Sequence, residues 1–377
     1  MSSDHLVGGV APSRVAQPLN LADLTNVMRT AAAAGETIGV LGAGTKINYG
    51  APPRALDLLV NTSSMNRIVE HASGDLVVTA QAGVPLDVIQ ARLSGADQWL
   101  ALDPPEQGAT VGGIVAAAAS GPRRLRYGTP RDLLIGITVV LADGTVAKSG
   151  GKVVKNVAGY DLGKLFTGSF GTLGVIAECT FRLHPLPRAR RVVTAVIDDP
   201  ADAARRLHAT GAVPAAVEWD GAVMTALFES VESAATTQAG DVAAVLGGEV
   251  GDAVPATFGV RPWASGGAGL KLTHRIGALR EVLALVGAAV PHARLGVHVG
   301  SGVIWLGVDE FDWDSLDSLR TEVASYDGGV VVVEAPPEVK QQIDVWGPAR
   351  GVAVMRRIKE QFDPDHRMSP GRFVGGI

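Results

Sequence analysis

Thr37-Ile38-Gly39-Val40-Leu41-Gly42-Ala43-Gly44-Thr45-Lys46 reads as a short buried strand running straight into a glycine turn. Glycines placed directly after a strand let consecutive backbone N–H groups approach an anion closely. The spacing is not G-x-G-x-x-G, because the third glycine is missing, and it is not G-x-x-x-x-G-K-[ST]. Taken alone, the segment has two readings: an anion-binding loop or a plain strand-to-loop turn.

Upstream, residues 20–34 set Leu21, Leu24, Val27, Met28 and Ala31 at helical spacing, closed by Gly35. Downstream, 55–60 and 76–82 are apolar strands and 85–93 is a helix, which completes an α/β unit. Residues 102–121 then turn small: Ala109-Thr110-Val111-Gly112-Gly113, followed by an alanine-rich helical run to Ser120-Gly121. A face with so few side chains accepts a flat ring or a pyrophosphate; tight helix–sheet packing asks for the same residues. Residues 132–141 form a strand, Asp143-Gly144 a hairpin turn, and 162–166 a short helix. Gly168-Ser169-Phe170-Gly171-Thr172-Leu173-Gly174-Val175-Ile176 opens the next strand. Its glycines signal either a backbone pressed against a ligand or a β-bulge.

Pro185 and Pro187 interrupt the pattern and mark a domain boundary. Beyond it, strand-like 192–197 and helix-like 200–210 begin an alternation that continues through 279–286, 293–308, 316–325 and 330–334. This texture predicts an α+β domain with an antiparallel sheet. Residues 352–362 form a closing helix, and no repeat period is evident.

The chain has 377 residues, enough for two or three domains at roughly 100–200 residues each. With 47% hydrophobic and 19% charged residues it can bury a sizeable core. Its net charge is −5, and its densest basic run is Pro122-Arg123-Arg124-Leu125-Arg126, so nucleic acid is not an expected partner. Cys179 is the only cysteine, so this chain alone builds no disulfide or iron–sulfur cluster. The count is compatible with a reducing cytoplasm. The N-terminal residues lack the pattern of a secretory signal, and the soft stretch 111–120 is too short to span a bilayer.

The glycine segments, taken together and in order, make residues from about 15 to 187 resemble an FAD-binding domain of the vanillyl-alcohol oxidase type. Ser149-Gly150-Gly151-Lys152-Val153-Val154-Lys155-Asn156-Val157-Ala158-Gly159-Tyr160-Asp161-Leu162, with 168–176, resembles the FAD-binding E subunit of bacterial glycolate oxidase. The tail Phe362-Asp363-Pro364 … Ser369-Pro370-Gly371-Arg372 fits the same family. The resemblance implies an α+β fold with an FAD-binding domain of two α/β lobes (15–187), a ferredoxin-like cap (188–350) and a C-terminal segment (351–377) returning to the FAD domain. It implies that Gly42, Ala43, Gly44, Thr45 and Lys46 cradle the FAD pyrophosphate. Thr110, Gly112 and Gly113, with Ser120 and Gly121, would line the ribityl and flavin region, and Gly171, Gly174, Val175 and Ile176 would contact the cofactor. The FAD would be non-covalent, because Thr45 stands where covalent relatives often place His.

The same resemblance implies a 2-hydroxy acid such as glycolate or D-lactate as substrate. It further implies a hetero-oligomer with a catalytic FAD subunit and an iron–sulfur subunit, cytoplasmic or held at a membrane by those partners. Departures leave the chain's own role open. Phe170 replaces an acidic residue of the catalytic D subunit. His298-Val299-Gly300-Ser301-Gly302-Val303-Ile304-Trp305 keeps one His of that subunit's metal motif and loses its Asp and second His, so no metal site is expected. His298 is read either as a general base or as a strand histidine satisfied by a neighbour. His274-Arg275 is read as a carboxylate binder or as surface charge, and Lys155-Asn156 as lying near the cofactor. An assembly subunit without chemistry and a stand-alone oxidase are the competing functions.

Overall fold

A computed structural model describes residues 6–151 and 161–377. Lys155-Asn156 and most of the 149–162 stretch therefore lie outside the described residues. The chain divides into two units: Met1–Ser120, Thr129–Leu186 and Pro348–Ile377 form the first, Gly121–Gly128 and Pro187–Gly347 the second. The detour of Gly121–Gly128 into the second unit has no signal in the sequence pattern.

The first unit has two lobes. In the first, β1 (Arg14–Ala16), β2 (Ile38–Leu41) and β3 (Leu58–Asn61) form a parallel sheet in the order β1-β3-β2. Helix Leu21–Ala33 packs beside them, capped by the Asn20 side chain accepting from the Asp23 N–H, and it buries Leu24, Met28 and Ala31. The second lobe uses β4 (Ile68–Ala72), β5 (Val77–Gln81), β7 (Leu134–Val140), β8 (Val146–Gly150) and β9 (Val175–Arg182) in the order β4-β5-β9-β7-β8; β6 (Gln98–Trp99) and β10 (His184–Pro185) pair separately. Every pairing in this five-stranded sheet is antiparallel, so strict α/β character belongs to the first lobe alone. One core joins both lobes, with Met28, Ile38, Val60, Val140, Val175 and Met368 in contact.

Two boundaries differ from the sequence pattern. Residues 130–133 are a helical turn rather than strand, because the Thr129 N–H and hydroxyl both bond the Asp132 carboxylate and close a capping box. The alanine run stops being helical at Ala116, and Ala118 takes a left-handed conformation with φ 47°.

The C-terminal segment adds a strand-like edge to the first lobe. Ile38 N–H donates to Arg367 O, Ser369 N–H donates to Ile38 O, and Ile38 bridges Met368 in parallel. The fully buried Lys359 anchors it: Nζ lies 2.7 Å from the Asp363 carboxylate and donates to Thr172 O and Met368 O. Asp363 in turn accepts from the N–H groups of Arg367 and Met368. Losing one partner of such a pair strands a buried charge, at a cost of about 3–5 kcal/mol.

The second unit is one eight-stranded antiparallel sheet. Its strands are β11 (Ala189–Val196), β12 (Ala216–Trp219), β13 (Val223–Ser230), β14 (Glu249–Gly251), β15 (Ala268–Thr273), β16 (Arg294–His298), β17 (Val303–Val308) and β18 (Gly329–Glu334). The order β14-β11-β13-β12-β16-β17-β15-β18 resolves into two βαββαβ halves, each ferredoxin-like, joined where β12 pairs with β16. The expected ferredoxin-like domain is thus present twice. The duplication has no readable sequence period, because each half needs only apolar alternation in its strands.

The two faces of this sheet differ in chemistry. One carries Val193, Trp219, Met224, Phe228, Val297, Ile304, Leu306, Leu270 and Val332, the counterpart of apolar helix faces such as Leu207, Val242, Val286 and Val323. The register places Glu218, Thr225, Glu229, His298, Trp305 and Lys271 on the other. The first five of these are buried. Segment Gly121–Gly128 helps to cover them: Arg123 binds the Glu229 carboxylate at 2.7 Å, Arg126 donates to Glu229 O, and Tyr127 donates to the carboxylate. Burial beside Glu229 pushes the Tyr127 phenol up to about 12.

Candidate functional site: a glycine-walled cleft in the first unit

The first unit contains an open-mouthed cleft. Its walls come from residues 39–47, from Thr110, Gly112, Gly113, Ala116 and Ala117, from Ser169, Phe170, Gly171, Gly174 and Ile176, and from the tail residues Ser369 and Arg372. Segments remote in sequence meet there because the backbone comes unusually close. A Cβ on Gly42 would lie 2.4 Å from Thr110 Oγ1, and one on Gly112 would lie 2.6 Å from Ala82 Cβ and 2.9 Å from Ala82 O. Both glycines are therefore required by packing as well as by any ligand.

The cleft presents backbone rather than charge. The N–H groups of Ala43, Gly44 and Thr45 donate to no protein acceptor among the described residues. Gly44 has φ 77°, a turn that other residues rarely make. The Ser169 hydroxyl is buried with no partner among the described residues. Lys46 and Arg372 are the charged side chains of the lining, and both have protein partners. Lys46 Nζ lies 2.5 Å from Glu106, whose carboxylate also accepts from the Tyr49 hydroxyl. Arg372 donates to Ile47 O and Tyr49 O, and its burial lowers its pKa to about 10. It braces the glycine loop from behind. Phe170 holds φ 53°, a strained conformation for a bulky residue, and stacks on Phe373 with ring centroids 5.9 Å apart.

Of the residues singled out in the sequence, Gly42, Ala43, Gly44, Thr45, Lys46, Thr110, Gly112, Gly113, Gly171, Gly174 and Ile176 meet in this cleft. Val175 does not line it; its side chain alternates into the core beside Leu24 and Met28. Ser120 and Gly121 do not line it either, and Gly121 opens the segment that belongs to the second unit. Cys179 is buried mid-strand in β9, where desolvation drives its thiol pKa upward and leaves it inert. The tail motif, with Ser369 as the position expected near the flavin, was visible in sequence, but the place of Arg372 in the lining was not. The single-residue signal for Arg372 was its place after Pro370-Gly371, which does not say what the guanidinium reaches.

His298 belongs to the second unit, at the end of β16. Its Nε2 lies 3.6 Å from Glu218 Oε1, and its buried Nδ1 has no partner among the described residues. Desolvation, then the like charges of Arg261, Arg124 and Lys271, lower its pKa to about 3, so the imidazole is neutral at physiological pH. His274 is buried with Nδ1 2.8 Å from Arg275 O, a backbone-satisfied histidine beside an exposed arginine. Trp263 is half-buried. Among the described residues no three His, Cys, Asp or Glu side chains gather as a metal site, and no helix is long and apolar enough to cross a membrane.

Residues 12–150 match the family model described as an FAD binding domain. The cleft fits that group: an open row of N–H groups suits a diphosphate, small residues suit a ring, and a buried hydroxyl awaits a partner. Residues 12–150 are thus similar to an FAD binding domain. Among curated proteins it is 34% identical over 213 residues to the glycolate oxidase subunit GlcD of Bacillus subtilis, covering 55% of this chain and 45% of that protein. It is 41% identical over 152 residues to the glycolate oxidase subunit GlcE of Escherichia coli, covering 40% and 43%. It is 40% identical over 140 residues to the mitochondrial D-lactate dehydrogenase [cytochrome] 1 of Saccharomyces cerevisiae, covering 37% and 24%. The matches thus span less than half the length of these relatives. Two solved structures of alkyldihydroxyacetonephosphate synthase share the fold, with TM-scores of 0.68 and 0.70 at 16% and 17% identity over 96% of this chain and 77% of theirs.

Proposed function

We propose that this chain is the FAD-binding subunit of a complex that oxidises a small 2-hydroxy acid. The observation that carries the reading is the cleft: a charge-compensated, backbone-lined site, much of whose wall comes from the residues matched to an FAD binding domain. FAD, when bound, supplies a two-electron acceptor for the hydrogen on the hydroxyl-bearing carbon. Ala43, Gly44 and Thr45 would hold its diphosphate by backbone N–H groups. Gly112, Gly113, Ala116 and Ile176 would give the ring system an apolar wall, and Ser169 would supply a hydrogen bond. Arg372 keeps the loop in shape through Ile47 O and Tyr49 O. Thr45 offers no imidazole for a covalent link, so binding would be non-covalent.

The subunit role rests on the relatives named as glycolate oxidase subunits. The resemblance to glycolate oxidase subunits implies a separate iron–sulfur subunit to carry electrons onward, since one buried cysteine holds no cluster on this chain. The test is a visible spectrum of the purified chain before and after anaerobic addition of glycolate and of D-lactate. Flavin bands that bleach support an active subunit. Bands that persist until a second subunit is added point instead to an electron-relay or assembly role. Absence of flavin after incubation with FAD sinks the reading.

A further inference from the structure

The chain that leaves the glycine loop of the cleft is irregular. Residues 47–54 form no helix or strand, and Ile47-Asn48-Tyr49-Gly50-Ala51-Pro52-Pro53-Arg54 carries the glycine and prolines of a turn-rich segment. A second irregular segment, remote in sequence, holds it. The Ala51 N–H donates to Arg372 O, and the Arg54 N–H donates to Pro370 O. Arg372 donates to Ile47 O and Tyr49 O, and Arg54 Nη2 donates to Gly376 O at 2.9 Å. The Arg54 stem runs along Gly371, where a Cβ would lie 2.8 Å from Arg54 Cγ. The same C-terminal segment also reaches the wall at 168–174: Phe373 stacks on Phe170, and a Cβ on Gly171 would lie 3.5 Å from Ser369 Oγ.

The C-terminal region is held in two different ways. Up to residue 369 its anchor is buried: Lys359 pairs with Asp363, and Arg367 and Ser369 bond the backbone of Ile38. Beyond it, exposed arginines tie the chain down. Arg54 holds Gly376 O, and Arg356 of helix Val352–Phe362 holds Gly375 O at 3.0 Å. Water competes for hydrogen bonds on exposed side chains, so each adds little. Segments held by such bonds open locally, well below the free energy of global unfolding.

We propose that residues 370–376 form a releasable clasp on the cofactor cleft. They open as a unit, and loop 47–54 loosens with them. The opened state admits and releases FAD, while the anchor at 359–369 stays docked. The clasp rests on the reading of the cleft as an FAD site, and it adds a kinetic role for residues that do not line that site. Linkage fixes the sign: a cofactor held by the closed loop must itself favour the closed clasp.

The test uses the full chain with and without FAD, in two measurements. In amide hydrogen exchange, Ala51, Arg54, Phe373 and Gly376 should exchange about tenfold or more faster without FAD, whereas Ile38 and Ser369 should change by less than about threefold. In stopped-flow FAD fluorescence, the double variant Arg54→Met/Arg356→Met should release FAD about three- to tenfold faster and take it up no more slowly than the wild type. Neither arginine lines the cleft and both are exposed, so the fold is expected to survive, with circular dichroism as the check. Phe373→Ala, which removes the stack on Phe170, is the second variant and should speed release about two- to tenfold. Wild-type release rates in both variants, or clasp amides that exchange alike with and without FAD, overturn the clasp and leave the cofactor reading standing. Slower uptake joined to faster release in the double variant also overturns it, because that pattern belongs to a lost direct contact. A wild-type chain that takes up no FAD overturns both.

Discussion

In the cofactor cleft the working surface is main chain. Its glycines let strands, a helix start and the C-terminal tail converge, and its two charged side chains are both bonded within the protein. On the charged face of the second unit the surface is side chain: Lys271, His298, Trp305, Glu218 and Glu229, set out by strand register, with Arg261 from the loop before β15. A backbone surface fixes geometry and tolerates an anion through N–H dipoles. A side-chain surface concentrates net charge and shifts pKa values. The molecule thus separates holding a large cofactor from generating a strong local field.

Lys359→Met bears on the first half of this contrast and has the largest expected effect. It strands the buried Asp363 and frees Thr172 O and Met368 O, so thermal unfolding should register a loss of about 3–5 kcal/mol together with loss of FAD. Retained FAD at wild-type stability would show that the tail does not brace the cleft. Gly112→Val comes next. Its Cβ meets Ala82 Cβ and the Ala82 carbonyl, so about 1–3 kcal/mol should be lost and FAD retention during gel filtration should fall.

His298→Gln sharpens the second half. A histidine whose pKa falls from 6.5 to about 3 on folding binds its proton more readily in the unfolded chain. Its contribution to stability is therefore complete above pH 6.5 and is lost progressively as pH drops toward 3. Urea titrations at pH 7 and pH 5 should differ by about 2 kcal/mol more in the wild type than in the variant. An identical pH response would place the acid sensitivity elsewhere. The double variant Lys46→Met/Glu106→Gln has the smallest expected effect, less than about threefold on FAD affinity, because it removes an already compensated pair and leaves no stranded charge. A tenfold or greater loss, measured by fluorescence titration, would mean that the cleft uses charge after all.

The cleft was legible and the charged face was not, for a reason visible in particular residues. Gly42, Gly44, Gly112 and Gly171 are ambiguous singly but legible as an ordered set of short clusters, because each marks a point of backbone freedom within a local segment. Residues 168–176 kept their order and spacing, although alternation sent Val175 to the core and Ile176 to the cleft. Lys271, Arg261 and Trp305 carry no such mark. Lys271 sits in a strand among leucines, and Arg261 depends on Gly269 and Gly307, which read as ordinary glycines until the loop above them is seen. His298 was recognisable as a candidate, but the cations that make it a weak base come from three other segments.

The sequence by itself determined the glycine segments of the first unit, the antiparallel texture of the second half and the similarity of residues 12–150 to an FAD binding domain. These are local properties: backbone freedom, strand and helix periodicity, and turn chemistry act over a few residues. Tertiary structure alone decided the doubling of the βαββαβ half, the detour of Gly121–Gly128, the compensation of Lys46 by Glu106 and the field around His298. Charge–charge energies depend on distances through space, and sheet register sets those distances between residues far apart along the chain.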